Sequence, residues 1–274
     1  MYKIGWFSTG RGEGSKGLLR ATRESIKSGE LEAEIEFIFC SRERGQTEAT
    51  DQYLKMVDEY GIPLVSFSYR RFKAGRPDSD EHGELLPWRL EYDREIMARI
   101  KDFSPDLCVL AGYMLIVGPE MCRKYNMINL HPATPGGPTG TWQEVIWKLI
   151  EGNADSTGSM MHLVIPELDK GPSATYCTFS IRGKPFDRYW YEVKGQPIEK
   201  IKREQDENNP LFKLIRQYGY ARELPLIIAT LKAFSQGKVK ITRDKQIVDA
   251  SGRAIDGYDL TAEIDTAVKN SLPH

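Results

Sequence analysis

The sequence predicts an α/β fold, a mostly parallel sheet flanked by helices, and three observations carry that prediction. Short apolar runs alternate with amphipathic stretches of helical period along most of the chain. "DLCVLAG" (106–112) is an almost unbroken apolar run, as in a strand covered on both faces. The chain also opens with a strand, a glycine-rich loop and a helical pattern in that order: "YKIGWF" (2–7), "STGRGEGSKG" and "LLRATRESIKSG". Together they predict a doubly wound, Rossmann-like arrangement.

Taken in order, "AEIEFIFC" (33–40) is a second strand, "TEATDQYLKMVDEYG" a helix ending at Gly61, and "PLVSFS" a third strand. "LEYDREIMARIKDF" reads as a helix before "DLCVLAG", and "MINLH" (127–131) as the next strand. A Gly/Pro loop follows, then the helix "TWQEVIWKLIEG" and the strands "GSMMHLVI" and "SATYCTFSI". A C-terminal helix and a polar hairpin are expected over 211–260. The least regular segments, near 67–87 and 183–210, read as surface excursions of a single domain spanning 1–274.

Composition narrows the function classes. With 38 Lys+Arg against 39 Asp+Glu the net charge is −1, so no global field favours nucleic acid or a membrane surface. A small-molecule partner is expected. The four cysteines lack C-x-x-C spacing, and neither a leader nor an apolar run of about 18 residues is evident, which predicts a cytoplasmic protein.

Of the four histidines, His274 is terminal and His82 lies in a polar run, leaving His131 and His162 in regular structure. Side chains alternate along a strand, so Asn129 and His131 share one face. Pro132 then stops the strand, placing both near its carboxyl end, where open α/β sheets put their chemistry. The turn "IPELDKGP" carries Asp169. A carboxylate facing that imidazole would orient it, although alone each residue also fits a core histidine or a turn carboxylate. A zinc site from His131, His162 and Asp169 lacks ligand spacing, so no metal is expected. Gly12-x-Gly14-x-x-Gly17 matches the dinucleotide fingerprint, and Arg42 could meet a 2′-phosphate, so an NAD(P)-dependent oxidoreductase is the competing class. Amides at a helix N-terminus bind a phosphate whatever molecule carries it.

The strings "YDREIMARIKDFSPDLCVLAGYM", "INLHPATP" and "GSMMHLVIPELDKGP" together resemble the 10-formyltetrahydrofolate-dependent formyltransferases, most closely the phosphoribosylglycinamide formyltransferases of purine synthesis. The resemblance implies formyl transfer to the primary amine of a phosphorylated small molecule, most closely glycinamide ribonucleotide, with 10-formyltetrahydrofolate as donor. A different amine acceptor is the alternative within the same fold. The resemblance further implies that Asn129, His131 and Asp169 are catalytic. The folate would lie against Met114, Leu115, Val117, Ile165, Glu167 and Leu168, and the substrate phosphate at Gly12, Gly14, Ser15 and Lys16. The chain departs from the family pattern in three places. "ATPGGPTGTW" follows His131 in place of Ser-Leu-Leu-Pro, Leu115 stands where an arginine is common, and "YGYAREL" (218–224), with Glu223, stands nearest the late-helix Gln-Glu-His.

Overall fold

A computed structural model describes residues 1–76 and 86–272. Its strands are β1 (Tyr2–Ser8), β2 (Ala33–Cys40), β3 (Leu64–Ser66), β4 (Leu107–Leu110), β5 (Met127–His131), β6 (Ser156–Leu163), β7 (Ser173–Ser180), β8 (Val239–Ile241), β9 (Ile247–Asp249) and β10 (Tyr258–Asp259). The helices of the first part are α1 (Glu13–Lys27), α2 (Glu48–Tyr60), α3 (Tyr69–Lys73), α4 (Pro87–Arg99) and α5 (Pro119–Lys124). They are followed by α6 (Trp142–Glu151), α7 (Asp187–Val193), α8 (Ile198–Gln205), α9 (Pro210–Ser235) and α10 (Thr261–Val268). Eight strands form one sheet in the order β10-β7-β6-β5-β4-β1-β2-β3, and β8 and β9 pair separately. The pairs β1/β2, β2/β3, β1/β4, β4/β5 and β7/β10 are parallel, whereas β6/β7 is antiparallel.

The chain divides into two compact units. The first comprises Met1–Asn129, Leu163–Gly171 and Arg243–Lys245. Its strands follow the doubly wound order 3-2-1-4-5. Phe7, Phe37, Phe39, Tyr92, Ile96 and Met127 pack in its core. The apolar run of β4 is buried at every position, as its uninterrupted hydrophobicity requires. The second unit comprises Leu130–His162, Pro172–Thr242 and Gln246–His274, with a core around Trp147, Ile150, Phe186, Trp190, Phe212 and Ile215.

Local signals set the helix ends. Thr47 caps α2 by accepting from the Thr50 amide, and Gly61 ends it in the left-handed conformation (φ 66°) that a side chain would oppose. Thr141 and Glu144 form a reciprocal capping box at α6. Asn209 caps α9, which begins at Pro210 and runs through Pro225 despite the backbone donor lost there.

Three expectations need correction. The first helix begins at Glu13, so the glycine-rich stretch from Glu13 on is its opening turn instead of a loop. The segment 183–210 is not an irregular surface excursion. It forms α7, α8 and a 3-10 turn (Asp206–Asn208), and Phe186, Trp190, Val193 and Ile201 are buried in the second core. Its charged residues mask a helical apolar spacing too short to stand out. The excursion 67–87 falls partly outside the described residues, as do His82 and His274. Its described portion packs Phe67, Tyr69 and Phe72 against the first core. The short helix α5, the two-residue strand β10 and α10 were not anticipated.

Candidate active site

The strand order of the first unit changes direction beside β1, whose parallel partner is β4. Such a switch point opens a crevice at the carboxyl ends of the strands. The segments leaving β1 and β4 are tied together there. The Thr9 amide donates to the Gly112 carbonyl (3.1 Å), and the Met114 amide donates to Thr9 Oγ1 (3.0 Å). Ser41, at the end of β2, donates its hydroxyl to the same Thr9 oxygen (3.1 Å). Gly112 is left-handed (φ +70°), and a Cβ there would sit 3.0 Å from Ser15 Oγ, so glycine lets the strand exit approach α1.

Gly12 is the N-cap of α1, and no side chain satisfies the helix end. The opening amides of Glu13, Gly14 and Ser15 therefore lack intrahelical acceptors. Lys16 does not project alone. Its Nζ lies 2.5 Å from the exposed Glu13 carboxylate and donates to Gln52 Oε1 at 2.9 Å. Lys16 draws the Glu13 carboxyl below the usual range by hydrogen bonding and by its charge.

From Tyr113 to Val117 the side chains divide between core and solvent. Tyr113 and Val117 are buried, whereas Met114 is 61% and Ile116 41% exposed, with Leu115 between these extremes. The structure thus places Val117 in the core and leaves Ile116, which is not among the residues expected to meet the folate, exposed. Leu168, at 60% exposure, is another large apolar side chain left open in this unit. Met114 and Leu115 line a cavity of about 200 Å³ with Thr9, Arg11, Arg42 and Arg70. The three arginines come from the ends of β1 and β2 and from α3. Only the topology brings them together, and no sequence spacing foretold the group.

Asn129 and His131 lie on β5, as their alternation predicts, with Asn129 half-buried opposite Leu110 of β4 and His131 3% exposed. His131 Nε2 donates to the Pro138 carbonyl at 3.0 Å, because a carbonyl can only accept. That bond assigns the proton to Nε2 and leaves Nδ1 for any second interaction. Within the second unit the His131 ring meets His162 edge-on, with centroids 6.2 Å apart. Asp169 sits in the 164–171 turn, where the Lys170 amide donates to the Glu167 carbonyl (3.2 Å). Its φ of 55° is left-handed, a conformation Asp tolerates better than most residues and one that turns its side chain away from the regular alternation. Ile165 is half-buried and Glu167 exposed in the same turn. The first unit therefore contains every proposed site residue except His131, which follows Asn129 by two positions on the same strand. Glu223, in the second unit, is bound to Arg216 (2.5 Å), whose guanidinium stacks on Trp142 and Tyr220.

A formyl transferase family model matches residues 10–181, well over half of the chain. The chain belongs to the formyl transferase family. Phosphoribosylglycinamide formyltransferase of Schizosaccharomyces pombe is 32% identical over 144 residues, spanning 47% of this chain and 66% of that protein. The Saccharomyces cerevisiae enzyme of the same name is 28% identical over 169 residues, spanning 58% and 75%. Among solved structures, phosphoribosylglycinamide formyltransferase from Coxiella burnetii shares the fold, with a TM-score of 0.64 at 20% identity over 94% of this chain and 98% of that one. The family match encloses the first turn of α1, the 113–118 segment, Asn129, His131 and Asp169. No helix among the described residues is long and apolar enough to cross a membrane, and the four cysteines are buried and unpaired.

Proposed function

We propose that this protein transfers the formyl group of 10-formyltetrahydrofolate to the primary amine of glycinamide ribonucleotide, as a single catalytic domain working in the cytoplasm. The observation that carries the proposal is the family match enclosing, in order, the helix N-terminus, the Asn-x-His strand end and the Asp169 turn. The amine lone pair attacks the formyl carbon, and negative charge moves to the carbonyl oxygen. Asn129 and His131 donate to that oxyanion, and donors already aimed at it are worth most where water is excluded. His131 Nε2, which donates to the Pro138 carbonyl here, is the N–H available to that oxygen once the partner is exchanged. As the tetrahedral centre collapses, the C–N10 bond breaks. Asp169, directly or through water, carries the amine proton toward N10. No covalent enzyme intermediate is required.

Met114, Leu115, Val117, Ile165, Glu167 and Leu168 form the folate slot, with Val117 acting from the core side. The N-terminal turn of α1 receives the substrate phosphate, with Gly12, Gly14, Ser15 and the Lys16 side chain around it. Arg11, Arg42 and Arg70 give the adjoining cavity the positive charge that suits an anionic ligand. The dinucleotide alternative leaves Asn129, His131 and Asp169 without a role. The test is incubation with 10-formyltetrahydrofolate and glycinamide ribonucleotide, following tetrahydrofolate and formylated product. Equimolar appearance is expected. Formate in place of formylated amine would make the protein a hydrolase, and formylation of a different amine alone would move the acceptor.

A further inference from the structure

Arg89 and Asp93 stand one turn apart on α4, and their side chains are only 5% and 2% exposed. Arg89 Nη1 donates to Asp93 Oδ1 at 2.6 Å. Both members of the pair also bond one short stretch of backbone. Arg89 Nη2 donates to the Ile116 carbonyl, and the Gly118 amide donates to Asp93 Oδ2 at 2.6 Å. Gly118 cannot be larger without displacing this contact, since a Cβ there would lie 2.8 Å from Leu90 Cδ2 and 2.9 Å from Asp93 Oδ2. The guanidinium is also set against the Tyr92 and Tyr69 rings, at 5.3 and 5.7 Å.

Burying two charges is expensive, and an apolar pair of equal volume often serves stability as well or better. What an apolar pair cannot do is bond an irregular backbone. Residues 111–118 belong to no helix or strand, so the Ile116 carbonyl and Gly118 amide need partners from elsewhere. At the other end of the stretch Thr9 holds the Met114 amide. Between these anchors lie the exposed Met114 and Ile116.

We propose that Asp93, acting through Arg89 and the Ile116–Gly118 backbone, is a positioning residue for the formyl donor. It touches neither reactant. The inference rests on the reading of 113–118 as part of the folate slot. A buried ion pair that bonds the backbone at two points fixes the slot wall more narrowly than apolar packing, and donor affinity depends on that placement.

The test uses the full chain carrying Asp93→Asn, which keeps the shape but must give up one of the two bonds. The apolar double variant Arg89→Met/Asp93→Leu removes both charges and keeps the fold accessible if the single change does not. Affinity for 5-formyltetrahydrofolate, a stable isomer of the donor, is measured by calorimetry, and steady-state constants are taken for both substrates. Donor Kd and KM should rise at least tenfold in both variants, with acceptor KM and kcat at saturating donor within about twofold of wild type. The double variant should regain thermal stability without regaining donor affinity. Wild-type donor Kd and KM in either folded variant would overturn the proposal, as would an equal rise in acceptor KM. Failure of the wild-type protein itself to bind the folate would instead overturn the donor reading, and this inference with it.

Discussion

Residues 112–118 and 132–141 each follow a strand end, but they are held by different means. The first segment is bonded by buried groups: Thr9 Oγ1 at Met114 and the Arg89–Asp93 pair at Ile116 and Gly118. The second depends on local and partly exposed contacts. The Gly137 amide donates to Thr134 (2.9 Å), Lys148 Nζ reaches the Thr139 carbonyl (2.8 Å), and His131 Nε2 meets Pro138. Buried charge-assisted bonds resist reorganisation, whereas an exposed lysine and a glycine-rich loop permit it. Both segments depart from the family pattern, the first at Leu115 and the second from Ala133 on.

The comparison breaks first at β5, which both sides must share. His131→Ala and Asn129→Ala should each lower kcat by about two to three orders of magnitude through loss of an oxyanion donor. Folate Kd should stay within about tenfold, and steady-state kinetics with calorimetry will show whether full activity survives in either variant. The next largest effect contrasts two glycines. Gly118→Ala forces a Cβ into Leu90 and Asp93 and should cost about 1–3 kcal/mol in urea unfolding. Gly136→Ala has open space around its Cβ and only a left-handed φ (+72°) to oppose it, at about 1 kcal/mol. Equal losses would mean the two segments are equally rigid.

Lys16→Ala should raise KM for the amine by only a few-fold, because Lys16 shares its charge with the exposed Glu13 carboxylate. Glu13→Gln should move KM the opposite way, and a KM indifferent to both would remove Lys16 from the phosphate site. The smallest expected effect concerns Glu223. Burial pushes its carboxyl up, against the opposing pull of Arg216. The native state therefore holds this proton where the unfolded chain has released it. The stability contributed is present below the unfolded carboxyl range and is lost as pH rises through the raised folded value. Urea midpoints against pH should show that fall, and Glu223→Gln should flatten it.

Much of the fold was legible because it depends on local pattern. The apolar run of β4, the alternation in β5 and the cap residues Thr47, Gly61 and Thr141 act within a few positions. The strand end carrying Asn129 and His131 was legible for the same reason, since Pro132 and a two-residue period suffice. The division between Ile116 and Val117 was not, because in an irregular segment no period says which side faces the core. Nor was the helical nature of 183–210, where charged residues obscured Phe186, Trp190 and Ile201.

By itself the sequence determined the α/β class, the order of its main elements and the placement of an amide and an imidazole on one strand face. Each follows from steric and hydrophobic rules that span only a few residues. Only the tertiary structure decided that Arg11, Arg42 and Arg70 line one cavity and that Lys16 is shared with Glu13 and Gln52. It likewise decided that Arg89 and Asp93 spend their buried charge on the backbone of residues 116–118. Those partners are set by which strands lie side by side and by what burial leaves unbonded. Both are properties of the packed chain that no local pattern contains.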